Sequence, residues 1–209
     1  MIEDSAAPIH DRSGLTIGAV IVFHDVSMSK SITKEMARLA QHDGLTDLPN
    51  RILLADRLSQ AIARARRNTT RVGLMYLDLD GFKQINDSLG HTAGDKILQS
   101  VARRLRGCVR NSDTVGRQGG DEFMVLLQEI SHAADAGITA RKILTALTSS
   151  PLLDDASTQI SVSVGLSTYP EDGDDAETLI HNADIAMYQA KEEGRNGYRY
   201  YKKEMNAVA

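Results

Sequence analysis

The stretch RQGGDEFMVLL, residues 117–127, places two glycines and two acids ahead of a run of apolar residues. A Gly-Gly pair between strand-forming runs favours a tight two-residue hairpin, because both turn positions need a positive φ angle. We therefore predict a hairpin over residues 113–127, with Gly119 and Gly120 in its turn. Taken alone, the two acids that follow are typical of an exposed surface turn.

The elements around this hairpin predict the fold. The run RVGLMYLDLD (71–80) is almost wholly apolar, as expected for a central strand covered on both faces. Other elements are predicted as helices at 51–68, 92–109 and near 132–149, and as strands at 158–169 and 197–201. An amphipathic helix precedes the last strand, with its apolar face on Leu179, Ile180, Ala183, Ala186, Met187 and Ala190. The order β-α-β-β-α-β is the split βαβ pattern of ferredoxin-like folds, so we predict an α/β (α+β) domain.

The first forty residues have a different pattern. Residues 1–26 form two extended runs around a turn, and two strands are too few to fold alone. A helix is predicted over 27–42, where Ile32, Met36 and Leu39 are spaced by four and three residues, as in a coiled-coil seam. The same spacing is equally typical of an amphipathic helix packed on its own domain.

Composition excludes several classes of function. The 209 residues carry a net charge of −4 and only 4% aromatic residues, which argues against nucleic acid as a partner. Cys108 is the only cysteine, so a disulfide framework is excluded and a reducing, cytoplasmic compartment is expected. The longest apolar run, residues 17–23, is too short to span a bilayer, and we predict no membrane contact for this fragment. A parent protein could still be membrane-anchored.

Acidic residues predict a metal site at one end of the sheet. Asp78 and Asp80 end the central strand on one face, because side chains repeat with period two. In a split βαβ sheet this strand lies beside the hairpin, so Asp78 and the pair Asp121 and Glu122 should converge. Clustered carboxylates repel one another unless a cation lies between them. Oxygen ligands without His or Cys suit Mg²⁺, bound by one or two carboxylates and substrate phosphates.

A phosphate substrate needs cations, and the chain has no P-loop motif. The candidates are Lys83, after the acidic strand end, and the pair Lys191 and Arg195 at the end of the long amphipathic helix. Residues 81–83 should also begin a helix whose free N–H groups can hold phosphate. The alternative is a solvated lysine at 83 and ordinary helix C-terminal charges at 191 and 195.

The segment INDSLGHTAGD (85–95) supplies short polar side chains: Asn86, Asp87, His91 and Asp95. A carboxylate fits the paired N1–H and N2–H donors of guanine, which adenine lacks. The alternative is that Asn86 and Asp95 act in turns and helix caps.

Five motifs together resemble the GGDEF domain, the diguanylate cyclase family: LTDLPNR, DLDGFKQINDSLGHTAGD, RNSDTVGRQGGDEF, SVGLS and ADIAMYQAKEEGRNGY. The resemblance covers residues 43–203 and leaves 204–209 as a tail. It implies a cyclase-like fold with a mostly antiparallel sheet, in which a homodimer joins two GTP into cyclic di-GMP and two pyrophosphates. Residues 1–26 resemble the end of a PAS domain, and 27–42 a signalling helix. Asp47 departs from the family's usual glycine, and we expect little effect.

The resemblance also implies roles. Asp78, Asp121 and the Leu79 carbonyl would bind Mg²⁺, with Mn²⁺ as a substitute. The catalytic residues would be Asp121, Glu122 and Lys83. GTP would be bound by Asn86, His91, Asp95, Gly119, Gly120, Lys191 and Arg195.

Arg110 and Asp113 match the family's RxxD site, where product binds and inhibits. As a bare motif they predict only a surface ion pair between residues three apart. A second hypothesis for the whole chain is a non-catalytic GTP or cyclic di-GMP sensor that regulates an attached EAL phosphodiesterase.

Overall fold

The computed structural model describes residues 2–149, 151–153 and 159–207 and divides into two compact units, Met1–Ala40 and Gln41–Ala209. In the smaller unit, strands β1 (Ile2–His10) and β2 (Thr16–Asp25) form an antiparallel pair, and helix α1 (Ser27–Gln41) follows. This confirms the predicted extended runs and helix. Ile32, Met36 and Leu39 on α1 are all exposed.

The described residues of the larger unit form a five-stranded sheet and five helices, which occur in this order: α2 (Arg51–Asn68), β3 (Arg71–Leu79), α3 (Phe82–Leu89), α4 (His91–Cys108), β4 (Thr114–Gly119), β5 (Glu122–Ile130), α5 (Ala133–Thr148), β6 (Val162–Tyr169), α6 (Ala176–Glu192) and β7 (Gly197–Tyr200). A short 3₁₀ helix, Lys203–Ala207, follows. The strands are arranged β4-β5-β3-β6-β7, and only the β6–β7 pair is parallel. The predicted β-α-β-β-α-β order and mostly antiparallel sheet are confirmed.

Helices cover both faces of the sheet, which explains why β3 is apolar throughout. Leu77 and Val125 belong to a core that includes α4 and α5 residues. Leu74 and Met124, which point to the opposite face, belong to a second core with α2 and α6 residues. The end of β3 and the start of β5 lie side by side, with Asp78 paired to Glu122. Among the described residues, no helix is both long enough and apolar enough to cross a membrane.

The hairpin between β4 and β5 differs from the prediction by one residue. Gly119 pairs with Glu122, so the turn consists of Gly120 and Asp121 rather than the two glycines. The cause is an irregularity in β4 between Arg117 and Gly119, which shifts the register. Both glycines still have positive φ, 152° at Gly119 and 51° at Gly120.

Two other boundaries differ from the sequence prediction. The strand predicted at 158–169 begins only at Val162, and residue 158 lies outside the described residues. The tail predicted at 204–209 begins inside the 3₁₀ helix, and residues 208 and 209 lie outside the described residues.

Candidate functional site

The acidic residues at the end of β3 lie beside the β4–β5 turn. Asp78 is the register partner of Glu122 on β5, and the two side chains share the sheet face that α2 and α6 cover. The Leu79 amide donates to the Asp121 carbonyl at 3.3 Å, which fixes the turn against the end of β3. The structure therefore brings together Asp78, Leu79, Asp121 and Glu122, as the topology predicted.

Asp78 is a largely buried carboxylate with a cation on one oxygen. Lys191 Nζ lies 2.8 Å from Asp78 Oδ2, and the two side chains are 27% and 13% exposed. Burial raises the pKa of Asp78 above its usual value, and repulsion from Asp121 and Asp80 adds to the shift, while Lys191 opposes it.

Glu122 is held by a tyrosine on the neighbouring strand. The Tyr76 hydroxyl donates to Glu122 Oε2 at 3.2 Å. Burial raises the pKa of Glu122, and the charges of Asp78 and Asp184 act in the same direction, although the Tyr76 bond opposes them. The carboxylate thus has a fixed orientation beside the turn.

Asp80 has a different environment from Asp78, although the sequence places them as a pair. Its Oδ2 accepts from Ser161 Oγ at 2.6 Å and from the Asn196 amide at 3.2 Å, and its Oδ1 accepts from Ser163 Oγ at 2.7 Å. These bonds tie the end of β3 to the start of β6 and to the turn after α6. Asp80 is therefore a structural anchor, and Asp78 is the acid that faces the site.

Arg117 links the hairpin turn to the loop before α2. Its Nη1 lies 3.0 Å from both carboxylate oxygens of Asp43, while Nε and Nη2 donate to the Gly120 carbonyl at 3.1 and 2.7 Å. Asp43 also accepts from the amide and hydroxyl of Thr46. Burial acts to raise the pKa of Asp43, but the bonds from Thr46 and Arg117 hold it below its usual value. One ion pair thereby sets the position of the turn.

The same loop contains Asp47, whose φ is 56°. This left-handed conformation explains the glycine that the family usually has there, since glycine adopts it without steric cost. Aspartate is among the side chains that tolerate it best. Its carbonyl accepts from Arg106 Nη2 at 2.8 Å, which holds the loop against α4.

The two glycines of the hairpin face open space. A Cβ added at Gly119 or Gly120 would meet no heavy atom of the described chain within 4 Å. Packing within the protein therefore does not require glycine here, whereas the positive φ angles favour it. The turn leaves room for a ligand to approach the backbone.

The predicted nucleotide-binding residues on α3 and α4 have mixed surroundings. Lys83, His91 and Asp95 are exposed. Asn86 is half-buried, and its Oδ1 is buried without a hydrogen-bond partner in the described structure. A Cβ at Gly94 would lie 1.9 Å from that oxygen, so only glycine lets α4 pass Asn86 at this distance. The Asn86 side chain is therefore oriented by its close packing against Gly94 and not by a hydrogen bond to its Oδ1 from the described protein.

The last predicted cation lies at the far end of α6. Arg195 is exposed, in a left-handed conformation with φ 61°, and its amide donates to the Ala190 carbonyl at 3.1 Å. Lys191 and Arg195 therefore border the same turn that Asp80 anchors.

The residues at the end of β3 fit a divalent cation bound through few protein ligands. Asp78 and Asp121 offer carboxylates, and Leu79, whose amide donates to the Asp121 carbonyl, offers a carbonyl of its own. No cluster of three or more His, Cys, Asp or Glu suited to a metal occurs in the described parts of the chain. Two carboxylates plus substrate phosphates is the arrangement that Mg²⁺ commonly takes.

The RxxD turn is built differently from the simple ion pair that its spacing predicts. Asp113 Oδ2 accepts from the Arg110 amide at 3.0 Å, and Oδ1 accepts from the Gln128 amide at 3.3 Å. The alternative of a simple surface ion pair is not seen between these two side chains in the described structure, and the Arg110 side chain is exposed. A cleft of about 280 Å³ beside it is lined by both residues, together with Lys142 on α5.

Sequence reasoning missed several residues that hold the site. Arg117 and Asp43 are far apart in sequence, so no local pattern joins them. Ser163 lies on the fully buried strand β6, and a buried hydroxyl needs a partner, which is a usable signal. Gly94 is a helix-interior glycine, whose cost in a helix points to a close approach.

The ferredoxin-like sheet places Asp78 and Glu122 at adjoining strand ends, and Lys191 lies beside them. This arrangement defines a candidate site for nucleotide phosphates. Residues 40–197 match the family described as "Diguanylate cyclase, GGDEF domain". The chain belongs to this GGDEF family.

Relatives agree with this assignment. The bifunctional diguanylate cyclase/cyclic di-GMP phosphodiesterase MucR of Pseudomonas aeruginosa is 48% identical over 84% of the chain, which spans 26% of MucR. The solved GGDEF domain of TpbB from the same organism superposes with TM-score 0.77 at 41% identity, covering 80% of this chain and 98% of that one. The coiled coil and GGDEF domain of DgcB from Caulobacter crescentus, in complex with c-di-GMP, gives TM-score 0.76 at 28% identity, covering 84% and 93%.

Proposed function

We propose that the larger unit is a diguanylate cyclase that condenses two GTP into cyclic di-GMP and two pyrophosphates for second-messenger signalling. The observation that carries this proposal is the meeting of Asp78, Asp121 and Glu122 beside an open glycine turn, with Lys191 in contact with the first acid. Family membership supports the same reaction class.

In the proposed reaction, the 3′-oxygen of one GTP bonds to the α-phosphorus of the other while the bond to the bridging β-phosphate oxygen breaks. The hydroxyl proton passes to Asp121, with Glu122 beside it, and pyrophosphate leaves. The step occurs twice and closes the ring. Lys83, Lys191 and Arg195 offset the charge on the triphosphate and on the leaving group.

Asp78, Asp121 and the Leu79 carbonyl are the groups that would hold the cation. When bound, Mg²⁺ or Mn²⁺ supplies electrostatic stabilisation of phosphate charge and favours deprotonation of the attacking hydroxyl. Burial of Asp78 supports this role, since a cation replaces the water that the carboxylate lacks.

Asn86, His91 and Asp95 are proposed to hold the guanine and ribose, with Gly119 and Gly120 allowing the triphosphate close to the backbone. The buried Oδ1 of Asn86, which has no partner in the described structure, supports a side chain set to present its amide to a base. The open space at both glycines supports the approach of phosphate.

The proposed function also includes a dimeric active form and inhibition by the product. One GTP site per chain requires two chains for a product with two nucleotides, so the active form is a homodimer. The RxxD pair Arg110 and Asp113 binds product and inhibits. Residues 1–26 and 27–42 are proposed as the end of a PAS domain and a signalling helix, in a protein whose catalytic unit works in the cytoplasm.

A second candidate function has one observation in its favour. MucR is described as a bifunctional cyclase and phosphodiesterase, and the present chain spans only part of it. In such a setting a GGDEF unit can bind GTP or cyclic di-GMP without turnover and regulate an attached EAL phosphodiesterase.

Incubation of the chain with GTP and Mg²⁺, followed by chromatography of the nucleotides, separates the two candidates. The cyclase predicts one cyclic di-GMP for every two GTP consumed. The sensor predicts saturable binding of GTP or cyclic di-GMP, measured by calorimetry, without any turnover. This comparison must be made at protein concentrations that permit dimers.

A further inference from the structure

The contact between Lys191 and Asp78 joins two groups with separate proposed tasks. Lys191 Nζ is 2.8 Å from Asp78 Oδ2, and both side chains are largely buried. Within the described chain, Lys191 is the one lysine or arginine at ion-pair distance from Asp78. The proposed metal ligand and the proposed phosphate ligand thus neutralise each other in the protein.

A divalent cation and the lysine compete for the same carboxylate. A metal bound to Asp78 would lie close to Nζ if the ion pair stayed intact, and two positive charges on one carboxylate would repel each other in a site partly screened from water. Of the neighbouring acids, Asp80 is engaged by three hydrogen bonds and Glu122 by Tyr76, which leaves Asp121 to offset the charge of a cation held beside Lys191.

We propose that Lys191 acts as a resident counter-ion of Asp78, so that a divalent cation binds well only when nucleotide phosphates draw the ammonium away. Lys191 is in the last turn of α6, and its flexible side chain is partly open to solvent. A triphosphate carries several negative charges and is a stronger partner for an ammonium than one carboxylate. Metal and nucleotide binding are then coupled, and the cation enters together with the phosphates.

This inference rests on the proposed function, since it takes Asp78 as a metal ligand. Its test needs no turnover: Mn²⁺ is titrated into the protein without nucleotide, and free Mn²⁺ is followed by electron paramagnetic resonance. Lys191→Met, which keeps the aliphatic length and removes the charge, should bind Mn²⁺ at least about tenfold more tightly than wild type. Lys191→Arg, which keeps the charge, should stay near wild type.

Arg195→Met is the matched control, because it removes a charge from the adjoining turn where the described structure shows no side-chain contact to Asp78. Its Mn²⁺ affinity should change by less than about threefold, as expected for an exposed, screened charge. Asp78→Asn combined with Lys191→Met should abolish the gain. Lys191→Gln serves if circular dichroism shows that the methionine variant is unfolded.

Wild-type affinity or weaker binding in the folded Lys191→Met or Lys191→Gln protein would overturn the inference. An equal gain in Arg195→Met would overturn it too, by showing a general charge effect. A chain that makes no cyclic di-GMP but shows the specific gain would contradict the proposed function and leave the counter-ion role standing.

Discussion

Arg117 and Asp43 form an ion pair in which Arg117 Nη1 lies 3.0 Å from both carboxylate oxygens of Asp43. This ion pair fixes the β4–β5 turn to the loop before α2. The same guanidinium donates twice to the Gly120 carbonyl. The side chains are only 10% and 22% exposed, so this pair is shielded from solvent. It carries no chemistry in the proposed reaction, yet together with the Leu79 amide it holds the turn that contains Asp121.

Asp43→Asn should therefore destabilise the protein by roughly 1.5–3 kcal/mol, the usual range for hydrogen bonds to charged groups. The pKa of Asp43 is lowered from 3.8, so its contribution is present above that value and is lost as pH falls through the lowered folded pKa. Urea unfolding across this range should show a gap between wild type and variant at neutral pH that closes in acid.

Glu171→Gln is the matched control, since Glu171 pairs with Arg71 where both side chains are 42% exposed. It should cost less than about 1 kcal/mol. Equal losses in the two variants, or a gap for Asp43→Asn that persists in strong acid, would contradict the role of this ion pair.

Tyr76→Phe should reduce turnover through Glu122, because the hydroxyl donates to Oε2 at 3.2 Å. We expect kcat to fall about tenfold, as for a displaced reacting group, with little change in KM. Steady-state kinetics with GTP provides the measurement. Tyr188→Phe, on an exposed tyrosine of α6, is the control and should behave as wild type. Equal kcat values for the two variants would remove Tyr76 from the positioning of Glu122.

Arg110→Ala should weaken cyclic di-GMP binding about tenfold to a hundredfold, the worth of charge-assisted hydrogen bonds, and leave the initial rate unchanged. Arg110 is a cleaner target than Asp113, whose carboxylate holds two backbone amides. Calorimetry measures product affinity, and Arg103→Ala on the exposed face of α4 is the control. Unchanged product affinity in Arg110→Ala would rule out the inhibitory site.

The rate law should depend on protein concentration. Helix α1 covers about two heptads, fewer than the roughly three to four that sustain a coiled-coil seam. The chain should therefore be mostly monomeric at low micromolar concentration, and its activity per mole should rise with concentration until dimers saturate. Light scattering and rate measurements over a hundredfold dilution test this. Constant specific activity alongside a monomeric mass would contradict catalysis between two chains.

The sheet could be predicted from the sequence because its signals are local or periodic. The apolar run of β3 and the two glycines at the end of β4 predicted a central strand beside a hairpin. The register at Gly119 could not be predicted from the sequence, because it depends on an irregularity in β4 that shifts the turn by one residue. Such a shift changes no residue type and so leaves no mark on the pattern.

The candidate site was predictable in its acids but not in their supports. Asp78 and Asp121 follow from strand period and topology. The different surroundings of Asp78 and Asp80 do not follow from strand period or topology. These surroundings depend on the contacts that Ser163 makes with Asp80 and Lys191 makes with Asp78. Long-range side-chain contacts of this kind have no spacing in the sequence.

The most direct test of the whole account is cyclic di-GMP formation by Asp121→Asn, measured by chromatography after incubation with GTP and Mg²⁺. Asp121 lies in the hairpin turn outside both cores, so stability should stay within about 0.5 kcal/mol of wild type. Turnover should fall by at least about a hundredfold, since the substitution removes a proposed metal ligand and proton acceptor. Asp87→Asn, on an exposed acid of α3, should retain activity. A folded Asp121→Asn protein that keeps a substantial fraction of the wild-type rate would contradict the proposed active site.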